Sequence, residues 1–230
     1  MTRKEKKSAP GKPIDIALFD LDHTLLAGDS DFAWGCFLEK VGAVDEHHKE
    51  QNARYYELYR QQKLDINAYI RFALKPLSRH PKKRLLAWRK EFIETVIRPM
   101  IGQPARHLLT THKARGHTTV IITSTNNFVV EPIAELFGVH HLIATEAEEK
   151  EGVFTGAVHG IPCFREGKVT RFLQWLETLD GSCGRSWFYS DSINDLPLLE
   201  QVDHAVVVNG DAELLHHAHN KNWPCLSLLT

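Results

Sequence analysis

The feature that most limits the fold of this chain is a set of short apolar runs separated by helical stretches. Residues 14–20, IDIALFD, are a short, mostly apolar run that ends in a carboxylate, as a buried strand would. Residues 118–123, 141–145, 187–191 and 205–209 read the same way, rich in β-branched and aromatic side chains. Helical stretches fall between them at 103–115, 128–137, 168–179 and 195–201. This alternation specifies an α/β protein: a doubly wound, Rossmann-like parallel sheet with right-handed crossovers.

One region breaks the rhythm. Residues 29–98 contain helical periodicity and no convincing strand. Ala33, Trp34, Phe37, Leu38 and Val41 make one apolar stripe, and Leu85, Trp88, Phe92, Ile93 and Val96 make another. Between them, a helix over 54–74 is interrupted near Asp65 and ends before Pro76. The expectation is a helical subdomain, 29–98, inserted in an α/β unit made of 14–28 and 99–230. Residues 151–158, EGVFTGAV, suggest a short antiparallel hairpin.

Composition excludes several classes. Lys plus Arg is 28 and Asp plus Glu is 29, a net charge of −1, which argues against nucleic acid or an anionic membrane as partner. An apolar run long enough to span a membrane is absent. Residues 1–13 are basic but lack a signal peptide's apolar stretch, and read as a disordered tail. Cys36, Cys163, Cys183 and Cys225 form no C-x-x-C pair, so reduced thiols in a cytoplasmic protein are expected. The histidine doublets, such as His47-His48, place neighbours on different sides of an element and would chelate one ion poorly.

In a doubly wound sheet, ligands bind beyond the carboxyl ends of the strands. The first strand delivers Asp20-Leu21-Asp22 there, two carboxylates that need a partner if buried. The next delivers Thr123-Ser124-Thr125-Asn126, hydroxyls and amides at a helix start, suited to an anion. Lys168 opens a later helix. The fourth strand delivers Ser190-Asp191-Ser192-Ile193-Asn194-Asp195, with two more carboxylates around a tight turn. Hard carboxylate oxygens beside a phosphate suit Mg²⁺.

This order of motifs resembles the haloacid dehalogenase (HAD) superfamily of phosphohydrolases. D-x-D-x-T corresponds to Asp20-Leu21-Asp22-His23-Thr24, the later hydroxyl to Thr123, the lysine to Lys168, and the acidic pair to Asp191 and Asp195. The helical insertion resembles the cap of the phosphoserine-phosphatase-like branch, whose substrates include phosphoserine and histidinol phosphate. The resemblance implies a phosphomonoesterase that acts on a small phosphorylated metabolite through an aspartyl-phosphate. Asp20 would be the nucleophile and Asp22 the general acid and base. Mg²⁺ would be held by Asp20, the Asp22 backbone carbonyl and Asp191. Thr123, Ser124, Lys168 and Asn194 would bind the phosphate, with Asp195 orienting Lys168 or the metal shell. Two positions depart from the phosphoserine phosphatases. Ser124 and Thr125 stand where two glycines are usual, and Ser190-Asp191-Ser192 replaces G-D-G. Both add side chains near the ligand, which weighs against phosphoserine.

At the entrance of the insertion, Asp29 and Asp31 are candidates to meet a cationic or hydroxyl-bearing group, and Arg54 or Arg71 a second anion. A phosphotransferase with the same intermediate, or a non-catalytic phosphate-binding protein, are the alternatives. The sequence leaves the oligomeric state open.

Overall fold

The computed structural model describes residues 11–228. Its centre is a seven-stranded sheet made of β1 (Gly11–Phe19), β2 (Thr118–Asn126), β3 (His141–Lys150), β4 (Val153–His159), β5 (Gly181–Ser190), β6 (His204–Val208) and β7 (Cys225–Leu226). The strand order is β4-β3-β2-β1-β5-β6-β7. All neighbours are parallel except β3 and β4.

Strand alternation explains the two cores. Ile16 and Leu18 point to one face, among Phe172, Leu198 and Leu214, while Ala17 and Phe19 point to the other, among Leu109, Val130 and Trp34. Helices α8 (Glu166–Leu176), α9 (Leu196–Leu199) and α10 (Ala212–Lys221) supply the first face. The second takes α6 (Gln103–Ala114) and α7 (Asn127–Phe137), together with the helical insertion. With Ile16, Ala17, Leu18 and Phe19 fully buried, the central part of β1 has no solvated side, as a doubly wound sheet requires.

The insertion comprises α1 (Ser30–Lys40), α2 (Glu46–Arg60), α3 (Ile66–Arg79), α4 (Lys82–Phe92) and α5 (Arg98–Met100), with a π-helical turn at Ile93–Ile97. Asp29, Asp45 and Asp65 cap the first three helices by accepting backbone N–H bonds. One flank is fastened by aromatic packing. The Trp34 ring lies 5.1 Å from Phe92 and 6.0 Å from Phe128, and Phe128 lies 5.3 Å from Phe154 on β4. Strand β4 also touches α3, where a side chain at Gly156 (φ 81°) would meet Ser78 Oγ at 3.0 Å.

Three expectations need correction. Residues 11–13, read as tail, belong to β1, where Gly11 pairs with Gly181; residues 1–10 lie outside the described residues. The helix expected to stop before Pro76 runs through it to Arg79, because losing one backbone donor inside a packed helix is tolerable when its face, Ile70, Leu74 and Leu77, is buried. The hairpin at 151–158 is the tip of a longer one, since β3 continues to Lys150 and turns at Glu151-Gly152. Strand β7, two residues long, carries no sequence signal.

Candidate active site

The carboxyl ends of β1, β2 and β5 converge under the insertion and form one cavity. After β1 the chain turns tightly. Leu25 and Leu26 donate to the Leu21 carbonyl, and His23, at φ 56°, donates its amide to Gly28 O. This turn points Asp20 and Asp22 into the cavity.

Asp20 is buried and held through Oδ1, 2.7 Å from Lys168 Nζ. Among the described residues nothing donates to its Oδ2. Lys168 donates equally, at 2.7 Å, to Asp195 Oδ2, which also accepts from Ser190 Oγ at 2.7 Å. Burial pushes the Asp20 carboxyl up to about 7; Lys168 opposes this and Asp195 and Asp22 add to it. Burial works against the Lys168 ammonium, but Asp195 and Asp20 outweigh it and raise its pKa above the ordinary value.

Asp22 accepts from Ser30 N at 2.6 Å and from Thr125 Oγ1 at 2.8 Å. Burial, then repulsion from Asp29, raises it to about 6. Asp191 accepts from Thr24 Oγ1 at 3.1 Å. Burial, then Asp20 and Asp195, hold it well above the usual carboxylate range. Two buried carboxylates, Asp20 and Asp195, thus share one ammonium, and the buried Asp191 adds a third negative charge that both of them repel.

The donor set fits Mg²⁺. No three His, Cys, Asp or Glu side chains among the described residues are grouped to hold a metal by themselves. Mg²⁺ needs fewer, since it usually takes one or two carboxylates plus water and phosphate. Asp20 and Asp191 would supply the carboxylates. The Asp22 carbonyl, which receives no hydrogen bond from the described residues, would supply a neutral oxygen. The charge surplus around Lys168 is what a divalent cation would relieve.

Of the remaining expected residues, Ser124 and Asn194 line the cavity. Asn194 Oδ1 accepts from Arg165 Nε at 3.0 Å. Thr123 is buried within β2, three residues before its end, with its Oγ1 accepting from Thr125 N at 3.2 Å, and it does not line the cavity. The cavity wall there is Ser124 and Thr125.

The insertion supplies the opposite wall. Asp29 and Asp31 line it with Tyr55, Tyr56, Tyr59 and Tyr69. Asp29 is engaged as the cap of α1, accepting from Phe32 N at 2.8 Å. Asp31 accepts from Tyr69 OH at 2.7 Å and Asn126 Nδ2 at 3.4 Å. Burial raises both carboxyls to about 6. Arg54 and Arg71 are exposed and do not line the cavity, so neither meets a bound anion there. Lys168 is the one cation among the lining residues.

Sequence reasoning gave Thr125 no catalytic role and did not single out Tyr69 or Arg165. Thr24 was seen only as part of a motif; its tie to Asp191 joins residues 167 positions apart. Thr125 carried a weak signal, as a hydroxyl at a strand end.

The haloacid dehalogenase-like hydrolase family matches residues 17–200, and the chain belongs to that family. It is an enzyme of this superfamily, a phosphatase. Over 219 residues, 93% of this chain and 98% of the relative, it is 44% identical to a histidinol-phosphatase of Neisseria meningitidis serogroup C (strain 8013). A crystal structure of a protein of unknown function from Bordetella pertussis Tohama I is 39% identical, with a TM-score of 0.90, covering 95% of this chain and 100% of that one. A substrate-bound phosphoserine phosphatase shares the fold at 18% identity, with a TM-score of 0.69, covering 94% of each chain. No helix among the described residues is long and apolar enough to cross a membrane.

Proposed function

We propose that this enzyme is a Mg²⁺-dependent phosphomonoesterase that works through an aspartyl-phosphate on a small phosphorylated metabolite, and that histidinol phosphate is the substrate its cavity suits best. The observation that carries the substrate assignment is the charge of the cavity. Beyond the phosphate end its polar wall is Asp29, Asp31 and tyrosines, with no cation besides Lys168. Phosphoserine brings a carboxylate that would sit against these acids unpaired, at a heavy desolvation penalty. Histidinol phosphate has no carboxylate, and its ammonium, joined by its imidazole when protonated, brings positive charge to meet the acids and the aromatic faces. The 44% identity to a histidinol-phosphatase supports the same reading.

The chemistry follows from the positions of the carboxylates. Asp20 Oδ2, free of hydrogen bonds, attacks phosphorus while Lys168 holds Oδ1 and offsets charge on the transferring group. The bond to the leaving oxygen breaks, and Asp22, raised to about 6 and so able to carry a proton, protonates that oxygen. Asp22 then takes a proton from water, which attacks phosphorus and releases Asp20 and inorganic phosphate. The Ser30 amide and Thr125 hydroxyl fix the orientation of Asp22 for both tasks. Held by Asp20, Asp191 and the Asp22 carbonyl, Mg²⁺ would supply the positive charge that lets an anionic phosphate approach a carboxylate. Ser124, Lys168 and Asn194 would bind phosphate oxygens. Thr123 would set the end of β2 and Asp195 would orient Lys168. The helices of 29–98 would form a cap that closes over the site and excludes water.

A screen of phosphorylated metabolites with Mg²⁺ and with EDTA tests this. Histidinol phosphate should be turned over best, phosphoserine poorly, and EDTA should abolish both. Efficient turnover of phosphoserine would overturn the substrate assignment.

A further inference from the structure

The cap and the α/β unit meet through apolar packing on one flank and through polar contacts on the other. On the polar flank, Arg165 spans the boundary. Its Nη2 donates to the Gln62 carbonyl at 3.1 Å and its Nε to Asn194 Oδ1 at 3.0 Å. Gln62 follows the C-terminal end of α2 in the cap. Asn194 lines the active-site cavity and adjoins Asp195, which holds Lys168.

Both sides of this contact hold a backbone conformation that glycine prefers. Arg165 has φ 49° and ψ −122°, and Gly167 N donates to Phe164 O at 2.8 Å across it. That is the first central position of a type II′ turn, where glycine is the usual residue. Gln62 has φ 59° and stands where a helix-ending glycine commonly would, with Gln62 N bonded to Tyr59 O and Lys63 N to Leu58 O. Its side chain crosses to the α/β unit and donates to Glu213 Oε2 at 2.6 Å. Turn geometry alone favours glycine at both places. Each carries instead a long side chain that reaches across the boundary, and strain of this kind persists where a side chain has a task.

We propose that Arg165 is a positioning residue that couples cap closure to the phosphate end of the site. With the cap closed, the Gln62 carbonyl fixes the guanidinium, and the guanidinium fixes Asn194 next to the Asp195–Lys168–Asp20 chain. With the cap open, Arg165 loses one anchor and the Asn194 turn loses its orientation. The proposal rests on reading 29–98 as a closing cap.

The test compares Arg165→Ala, which keeps the strained backbone, with Arg165→Gly, which relaxes it. Activity is read on 4-nitrophenyl phosphate, so wild-type turnover reports the phosphatase reading and the ratio of variant to wild type reports this proposal. Both variants should lose kcat/KM at least about ten-fold. Arg165→Gly should melt no lower than Arg165→Ala yet recover none of the lost kcat/KM, whereas a merely structural role would let activity follow stability. Amide hydrogen exchange over residues 61–65 should rise in both. A smaller loss of activity, a lower melting point for the glycine variant, or unchanged exchange would overturn the assignment.

Discussion

Lys168 Nζ lies 2.7 Å from Asp20 Oδ1 while both side chains are almost wholly buried. With Asp195 at the same distance, one ammonium serves two carboxylates. Replacing Lys168 with Met should therefore harm both fold and function. Breaking a buried pair by removing one partner costs about 3–5 kcal/mol, so chemical denaturation should show a loss of that order. The kcat should fall roughly 10²–10³-fold with the loss of a preorganised charge. A variant that remains as stable as wild type would show that Lys168 is not the counterion.

Asp22→Asn keeps a group able to accept from Ser30 N but cannot deliver a proton. Its effect should depend on the leaving group. With an alkyl phosphate, kcat should fall about 10²–10⁴-fold. With 4-nitrophenyl phosphate, whose phenolate leaves without help, the first step should be far less affected. Equal losses on both substrates would argue against a general-acid role.

Asp31→Asn separates recognition from chemistry. Asp31 accepts from Tyr69 and Asn126, and from none of the groups that hold Asp20 or Asp22. Losing a charge-assisted contact of about 1.5–3 kcal/mol should raise KM for histidinol phosphate roughly ten-fold or more. Kinetics on 4-nitrophenyl phosphate should be nearly unchanged. An equal rise for both would place Asp31 outside substrate selection.

Beneath the site, His112 bonds to His117 (2.9 Å) and to Tyr189 OH (2.8 Å), and Tyr189 stacks on Phe19, the residue before Asp20. Burial, then His117 and Arg115, lower His112 from 6.5 to about 4, so it is neutral when folded. Its contribution to stability is fully present above pH 6.5 and is lost as pH falls toward 4. Melting temperature should decline across that window, and more steeply in wild type than in His112→Asn. Parallel slopes would exclude His112 as the titrating group.

The aspartates were legible because each leaves a strand whose apolar run predicts where it ends. Asp20 follows a run buried on both faces, and Asp191 follows another, so the sheet rule alone brought them together. Thr125 and Arg165 were not legible in the same way. The role of Thr125 depends on Asp22, 103 residues away, and that of Arg165 on Gln62, also 103 residues away. The continuation of α3 through Pro76 escaped for another reason: tertiary burial of Leu74 and Leu77 overrode a local breaker. Arg54 and Arg71 shared a cap helix pattern with Tyr55 and Tyr69, and only packing decided which side chains faced inward.

The central claim is that Asp20 carries the phosphoryl group. The most direct measurement is rapid acid quench of a Mg²⁺-loaded turnover, followed by mass spectrometry of the peptide that contains Asp20. A phosphoryl adduct on Asp20, absent in EDTA and absent from Asp20→Asn, is the result this account predicts. An adduct on another residue, or full turnover by Asp20→Asn, would contradict it.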